Sequence, residues 1–384
     1  MKIECIRTYH LRHDLEEPFS YSQLTFRSRN SMLVEVIADS GISGWGDCYG
    51  PAEVSQAAAT SYYAPLLLGR NPMDTDVLWH EMWQKSLDFA RTGPMMGAIS
   101  AIDMALWDLK GKALDVSVSD LMGGRYRDSV PCYITKMYFR DMEDGPLIDA
   151  IVEEAVGFWD QGYDKLKIKV GRGVDFDVEL IKTVRAALRN ATLMADANHA
   201  YDLPEAVRVG RALEEGQFAW FEEPLSPQHP ELFPRLQAQV SIPLATGECE
   251  QTRYGFQRLL ASGGVQIAQP DLAYCGGPSE ALKIRAVASS MGINVIPHVW
   301  GTMLNFAAST HFLAATYREP GRAIVCPPVL EYDRTPNALR DEMFETSVKV
   351  KDGNAVVPTA PGLGVTVDRV AMKDFLVSDT EDWQ

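Results

Sequence analysis

The pattern of apolar and polar positions changes character near residue 125. Before it, Met32-Leu-Val-Glu-Val-Ile-Ala38 reads as a strand, and Asp39 to Gly46 as the turn into its partner. From about Val54 to Leu121 the period becomes helical; Ala98 to Gly111 carries apolar residues on nearly every turn and ends near a glycine. A sheet followed by helices predicts a separate α+β domain over residues 1–125. From Val130 onward, strands near 130–137, 165–170, 192–196, 218–222, 243–248, 265–269, 293–297 and 324–331 alternate with helices near 147–161, 175–188, 203–215, 229–238, 253–262, 277–291 and 304–317. Eight strands and seven helices predict a TIM-type β/α barrel one helix short, over 126–349. The tail 350–384, with Pro361-Gly-Leu-Gly364, is expected to fold back on the first domain.

Composition agrees with that division: 384 residues, 46% hydrophobic and 23% charged, suit a soluble barrel with a smaller companion domain. A formal net charge of −16 argues against nucleic acid and against anionic membrane surfaces. An anionic substrate would be repelled at long range, so a cation in the site must reverse the local field. The N-terminus has no apolar signal core and no run approaches membrane-spanning length, so a cytoplasmic protein is expected. Six scattered cysteines without a Cys-x-x-Cys pair fit a reducing compartment. Their spacing assigns no role to Cys249 or Cys275, and the same holds for His199.

Three acids carry the candidate chemistry. Asp196, Glu222 and Glu248 each follow a short apolar run, and successive members are 26 residues apart. That step is about one barrel repeat, so the three converge above the mouth, where three oxygen ligands suit a hard cation such as Mg²⁺. In Lys165-Leu-Lys-Ile-Lys169, period two points all three lysines inward. Lys167 and Lys169 lie nearest the strand's C-terminal end, where mutual repulsion would lower their pKa and supply a base. Asp271 and His298 end neighbouring strands and are expected to pair. Glu331 ends the last strand. A substrate carboxylate on the metal would hold its α-carbon between the lysines and the histidine, and proton abstraction would place enediolate charge beside the cation. The loops carrying Tyr21 and Tyr49 are expected to close over the mouth and select the substrate.

These residues resemble the enolase superfamily, specifically its mandelate racemase subgroup. The likeness rests on Ala105-Leu-Trp-Asp-Leu-Lys-Gly111, Lys167-Ile-Lys169, Asp196-Ala-Asn198, Trp220-Phe-Glu-Glu-Pro224, Gly247-Glu248, Gln269-Pro-Asp271 and Pro297-His298, and covers nearly the whole chain. It implies a modified (β/α)7β barrel under a capping domain. It also implies Mg²⁺ on Asp196, Glu222 and Glu248, Lys169 as one base tuned by Lys167, and the His298–Asp271 dyad as the other. Asn198 would bind substrate, Glu331 would hydrogen-bond the intermediate's carboxylate, and a homo-oligomer is expected. Asp196-Ala-Asn-His-Ala-Tyr201, Cys275-Gly-Gly277 and Glu331-Tyr-Asp-Arg-Thr335 look most like acid-sugar dehydratases and cycloisomerases, so the expected substrate is an acid sugar or its lactone. Departures fall at Cys249-Glu-Gln-Thr-Arg-Tyr254 and at Asp47. A racemase or epimerase of a 2-hydroxy acid and a non-catalytic sugar-acid binder remain alternatives. A nicotinamide enzyme is disfavoured, because Gly171-Arg-Gly173 lacks the third glycine of the dinucleotide fingerprint.

Overall fold

In the computed structural model, which describes residues 1–317, 328–346 and 348–380, the chain opens with an antiparallel meander: β1 (Ile3–Ser20), β2 (Thr25–Ala38) and β3 (Ser43–Cys48). The long first strand is hidden in the sequence because charges interrupt its alternation and Thr8 to Leu11 are buried in succession, covered on both faces. On one face Ile6, Met32, Val34 and Val36 pack against the helices Thr75–Ser86 and Pro94–Leu114. On the other, Tyr9, Leu11, Leu33 and Trp45 join the core of the barrel. The capping sheet is therefore sandwiched, which fixes its loops relative to the barrel mouth.

The Pro94–Leu114 helix lies so close on β3 that a Cβ on Gly46 would stand 2.0 Å from the Ala101 carbonyl oxygen, which explains the Gly-Trp-Gly spacing. The same helix joins the two layers. Trp107 Nε1 donates to Ser279 Oγ at 2.8 Å, and Asp103 accepts from the Ser279 amide and hydroxyl. Asp108 accepts from the amides of Trp45 and Leu363.

The barrel strands are β4 (Ser129–Met137), β5 (Lys165–Lys169), β6 (Thr192–Asp196), β7 (Phe221–Glu222), β8 (Leu244–Thr246), β9 (Ile267–Ala268), β10 (Asn294–Val295) and β11 (Leu330–Asp333). Neighbours from β4 to β10 pair in parallel, and β11 returns to β4. Helices Asp144–Asp160, Val174–Ala187, Leu203–Glu215, Phe233–Gln237, Thr252–Ala261, Gly277–Ser290 and Met303–Ala314 fall between successive strands, giving the (β/α)7β order. Part of the strand expected near 324–331, with Cys326, lies outside the described residues. Tyr133, Met194, Trp220, Ala245, Ile267 and Ile296 form an apolar cluster of their own.

The tail does not go to the capping domain alone. After β12 (Phe344–Thr346), the hairpin β13 (Val350–Lys351) and β14 (Asn354–Val356) pairs with the start of β4 in the barrel. β15 (Val365–Val367) pairs with β12, and only β16 (Leu376–Asp379) adds to the capping sheet, beside β1. Among the described residues no helix is long and apolar enough to cross a membrane.

His311, buried on the Met303–Ala314 helix, accepts the Ser119 amide at Nδ1 and donates Nε2 to the Leu363 carbonyl, so it ties the barrel to the capping layer as a neutral ring. Burial pushes it down to about 4. A folded value below the unfolded one means the contribution is intact above about pH 6.5 and is lost as pH falls toward 4. In urea melts His311→Asn should be less stable than wild type at pH 7.5, yet lose about 2 kcal/mol less between pH 7.5 and 5. Equal losses in both proteins would show that His311 does not set the acid limb.

Candidate active site

Parallel register sets the three acids at one level. Lys169 pairs with Asp196 across β5 and β6, Asp196 with Glu222 across β6 and β7, and Glu248 follows β8 after a single glycine. One oxygen from each lies within 4.8 Å of the others, and all three side chains are buried. Beyond the strands the backbone turns left-handed at Asn198 (φ 43°), His199 (φ 66°) and Glu223 (φ 43°). For non-glycine residues that costs of order 1 kcal/mol each. The Asn198 amide donates to Asp196 Oδ1 at 3.0 Å, and Trp220 Nε1 donates to Glu222 Oε2 at 2.9 Å.

Lys167 and Lys169 also point into this mouth, whereas Lys165 sits at the opposite rim, paired with Asp164 at 2.6 Å. Lys169 Nζ donates to Asp196 Oδ2 at 2.5 Å and to Asn198 Oδ1 at 2.7 Å. Lys167 Nζ lies 2.5 Å from Glu222 Oε1 and 2.8 Å from Glu331 Oε1. Burial alone would lower both ammonium groups. The carboxylates outweigh it, Asp196 for Lys169 and Glu222 with Glu331 for Lys167, so both stand above the usual lysine range. The expectation that mutual repulsion would lower them is therefore corrected: each ammonium has nearer anions than its neighbour.

Across the mouth, His298 Nδ1 is 2.7 Å from Asp271 Oδ2, and Asp271 Oδ1 accepts from Asn305 Nδ2 and the Ala273 amide. This dyad leaves Nε2 facing Glu248 Oε2 at 3.6 Å. Burial would lower the imidazole, but Glu248 and the Asp271 hydrogen bond raise it to about 10. Glu331 accepts from Thr135 Oγ1 at 2.6 Å and from the Val299 amide at 2.9 Å. Burial opposes its ionisation, and Lys167 with His298 holds it down to about 2.

The capping loops approach from both sides. Ser22 Oγ donates to the carbonyls of Ala197 and Asn198, and the adjacent Tyr21 ring lies 5.8 Å from Lys169 Nζ. Gly171 makes this seat possible: at φ +106° a Cβ would fall 2.9 Å from Ser22 Cβ. On the other side the Tyr49 ring stands 5.5 Å from His298. Asp47, two residues earlier, accepts from Ser31 and from the Thr302 amide and hydroxyl, tying β3 to the loop after β10.

Three participants escape a reading of the sequence. Tyr138, just past β4, puts its ring 4.8 Å from Lys169 Nζ; its position after the first barrel strand was the available signal. Trp300 stacks under Arg29 at 3.8 Å, and Arg29 pairs with Asp333 across the two layers, a contact between distant segments that no local pattern announces. Glu223 is buried beside the acids, and its signal was the doubled Glu222-Glu223. Burial, with Glu248, Asp196 and Glu222 nearby, raises it well above the carboxylate range.

The donor set fits a hard divalent cation. Burial and the neighbouring acids Asp196, Glu331 and Glu248 push Glu222 up to about 7, against Lys167, the like-charge crowding that such an ion relieves. A barrel whose strand ends gather three acids between an ammonium pair and an Asp–His dyad, under an α+β cap, defines a class. Residues 3–123 match the mandelate racemase / muconate lactonizing enzyme N-terminal domain and residues 150–371 the enolase C-terminal domain-like family; the chain belongs to this family. It is 38% identical over 380 residues to D-galactarolactone cycloisomerase of Agrobacterium fabrum, covering 99% of this chain and 100% of that protein. Among solved structures, 3,6-anhydro-D-galactonate cycloisomerase from Zobellia galactanivorans superposes with a TM-score of 0.89 at 38% identity, covering 98% of this chain and 100% of that one. L-talarate dehydratase from Polaromonas sp. JS666, complexed with Mg and L-glucarate, gives 0.83 at 28% identity, covering 99% and 98%.

The two ends of β5 make opposite demands. Lys167→Met leaves Glu222 and Glu331 without their shared ammonium and should cost about 3 kcal/mol or more in denaturant unfolding of the metal-free protein. Lys165→Met breaks a rim pair and should cost no more than about 1 kcal/mol. Comparable losses would mean that the inner lysine is not held by those carboxylates.

Proposed function

We propose that this protein is a Mg²⁺-dependent enzyme that removes the proton α to the carboxylate of an acid sugar or its lactone and then eliminates the β-oxygen. The observation that carries this reading is the placement of the acid triad between Lys169 on β5 and His298 just past β10. Asp196, Glu222 and Glu248 would hold the cation, which stabilises negative charge developing on the substrate carboxylate.

The chain's own groups do the rest. Asp196, once shared with a cation, holds Lys169 less tightly, and Lys167 beside it then favours the neutral amine. Lys169 takes the α-proton on one face, while Asn198, hydrogen-bonded to it, keeps its amine aimed at the substrate. His298, oriented by Asp271 through Nδ1, presents Nε2 to the other face and donates a proton to the departing β-oxygen. The C–H pair becomes the new C=C bond as the C–O bond breaks, and the enol product ketonises by taking a solvent proton at the β-carbon and releasing its hydroxyl proton to solvent. Glu331, fixed by Thr135 and Val299, anchors Lys167. Tyr21 and Tyr49 close the two sides and exclude water.

When the β-oxygen belongs to a ring, the same step is a cycloisomerisation; when it is a hydroxyl, it is a dehydration. The ring-opening outcome is favoured here, because two relatives at 38% identity over nearly the whole chain carry cycloisomerase names.

EDTA should abolish turnover of an acid-sugar lactone and Mg²⁺ restore it; full activity in chelator rules out the metal. Lys169→Ala and His298→Asn should each reduce kcat by about 10²-fold or more, with deuterium exchange at the α-carbon surviving in at most one of them. Undiminished exchange in both variants overturns the two-sided arrangement. Tyr21→Ala and Tyr49→Ala should each lower kcat/KM by about tenfold, or ~1.4 kcal/mol of transition-state stabilisation. Unchanged values would remove these loops from the site.

A further inference from the structure

Immediately beyond the acid triad lies a second convergence of ligand atoms that the proposed reaction does not use. His199, Glu223 and Cys249 stand three, one and one residues past Asp196, Glu222 and Glu248, and one ligand atom of each lies within 4.8 Å of the others. His199 Nε2 is 3.1 Å from Glu223 Oε2 and 3.6 Å from Cys249 Sγ. Tetrahedral zinc with ordinary bond lengths sets N and O ligands about 3.3 Å apart and N and S ligands about 3.5 Å apart. The donors change character between the two sets. Three carboxylates suit a hard ion, whereas thiolate, imidazole and a single carboxylate suit zinc or a similar borderline metal.

Glu223 supplies the independent observation. Its side chain is 1% exposed, Oε1 has no partner, and Oε2 is aimed at His199 Nε2 at 3.1 Å without a hydrogen bond between them. A buried carboxyl oxygen left without a partner is costly unless something binds it. Cys249 is exposed and His199 half-buried, so an ion can enter from solvent. The electrostatics run the same way. Beside His199, six buried carboxyl groups (Asp196, Glu222, Glu223, Glu248, Asp271 and Glu331) face Lys167, Lys169 and His298. With all six ionised, one divalent ion leaves a negative charge over, and an anionic substrate adds more.

We infer that His199, Glu223 and Cys249 form a second metal site for zinc or a comparable borderline divalent ion, with its fourth position open. The site shares no residue with the carboxylate triad, so it stands or falls separately from the proposed reaction.

Cobalt(II) reports on it directly, because a thiolate ligand gives an intense near-ultraviolet charge-transfer band that oxygen ligands do not. Protein stripped of bound metal and then returned to saturating Mg²⁺ is titrated with Co²⁺ and then with Zn²⁺. The expected result is a band that saturates at one equivalent, is displaced by Zn²⁺ and disappears in Cys249→Ser. Cobalt affinity should fall at least tenfold in His199→Ala. Asp196→Asn, which alters the neighbouring triad, should leave the band in place. No band, a band that survives Cys249→Ser, or one lost in Asp196→Asn overturns the site. Cys249→Ala serves as the second variant should the serine protein melt below the wild type.

Discussion

Everything in this molecule follows from the cost of placing acids side by side away from water. Asp196, Glu222 and Glu248 are buried within a few ångströms of one another, and the surrounding structure exists to make that tolerable. Lys167 and Lys169 supply charge from the preceding strand. Trp220 and the Asn198 amide supply hydrogen bonds from the strand ends themselves. Parallel register is what makes the gathering possible, since it levels residues that are far apart in sequence.

The same constraint divides labour around the mouth. Groups near the anions on the β5 side become strongly cationic, and so does His298 on the other, held by Glu248 and Asp271. A cation that occupies the acids changes the balance for both sides at once, so metal occupancy and proton transfer are coupled by electrostatics alone. The capping domain adds the third layer. Its sheet is packed on both faces, and its loops reach the mouth through Ser22, Tyr21, Asp47 and Tyr49.

Much of this was legible in the chain. The regular step between acids, the period-two lysines and the strand-end Asp271 and His298 all derive from barrel geometry, and that geometry repeats. The barrel helices fell within a few residues of their expected places for the same reason. What the pattern could not carry was contact between layers. β1 leaves no alternating pattern because it is buried on both faces, and Arg29 with Asp333 and Trp300 joins segments some three hundred residues apart. The state of the lysines is not legible locally, because two ammoniums close in sequence suggest repulsion while the carboxylates that reverse it arrive from other strands. The tail serves both layers, since β16 extends the capping sheet while β14 seals the start of β4.

The central claim is α-proton chemistry on a sugar-acid carboxylate, and proton NMR in deuterated water tests it most directly. Aldonates, aldarates and their lactones are incubated with the Mg²⁺-loaded protein. The account predicts that at least one loses its α-proton signal and yields a 2-oxo product labelled with deuterium on a single face. Retention of the α-proton in every compound, under conditions where the protein is folded and metal-loaded, would contradict it.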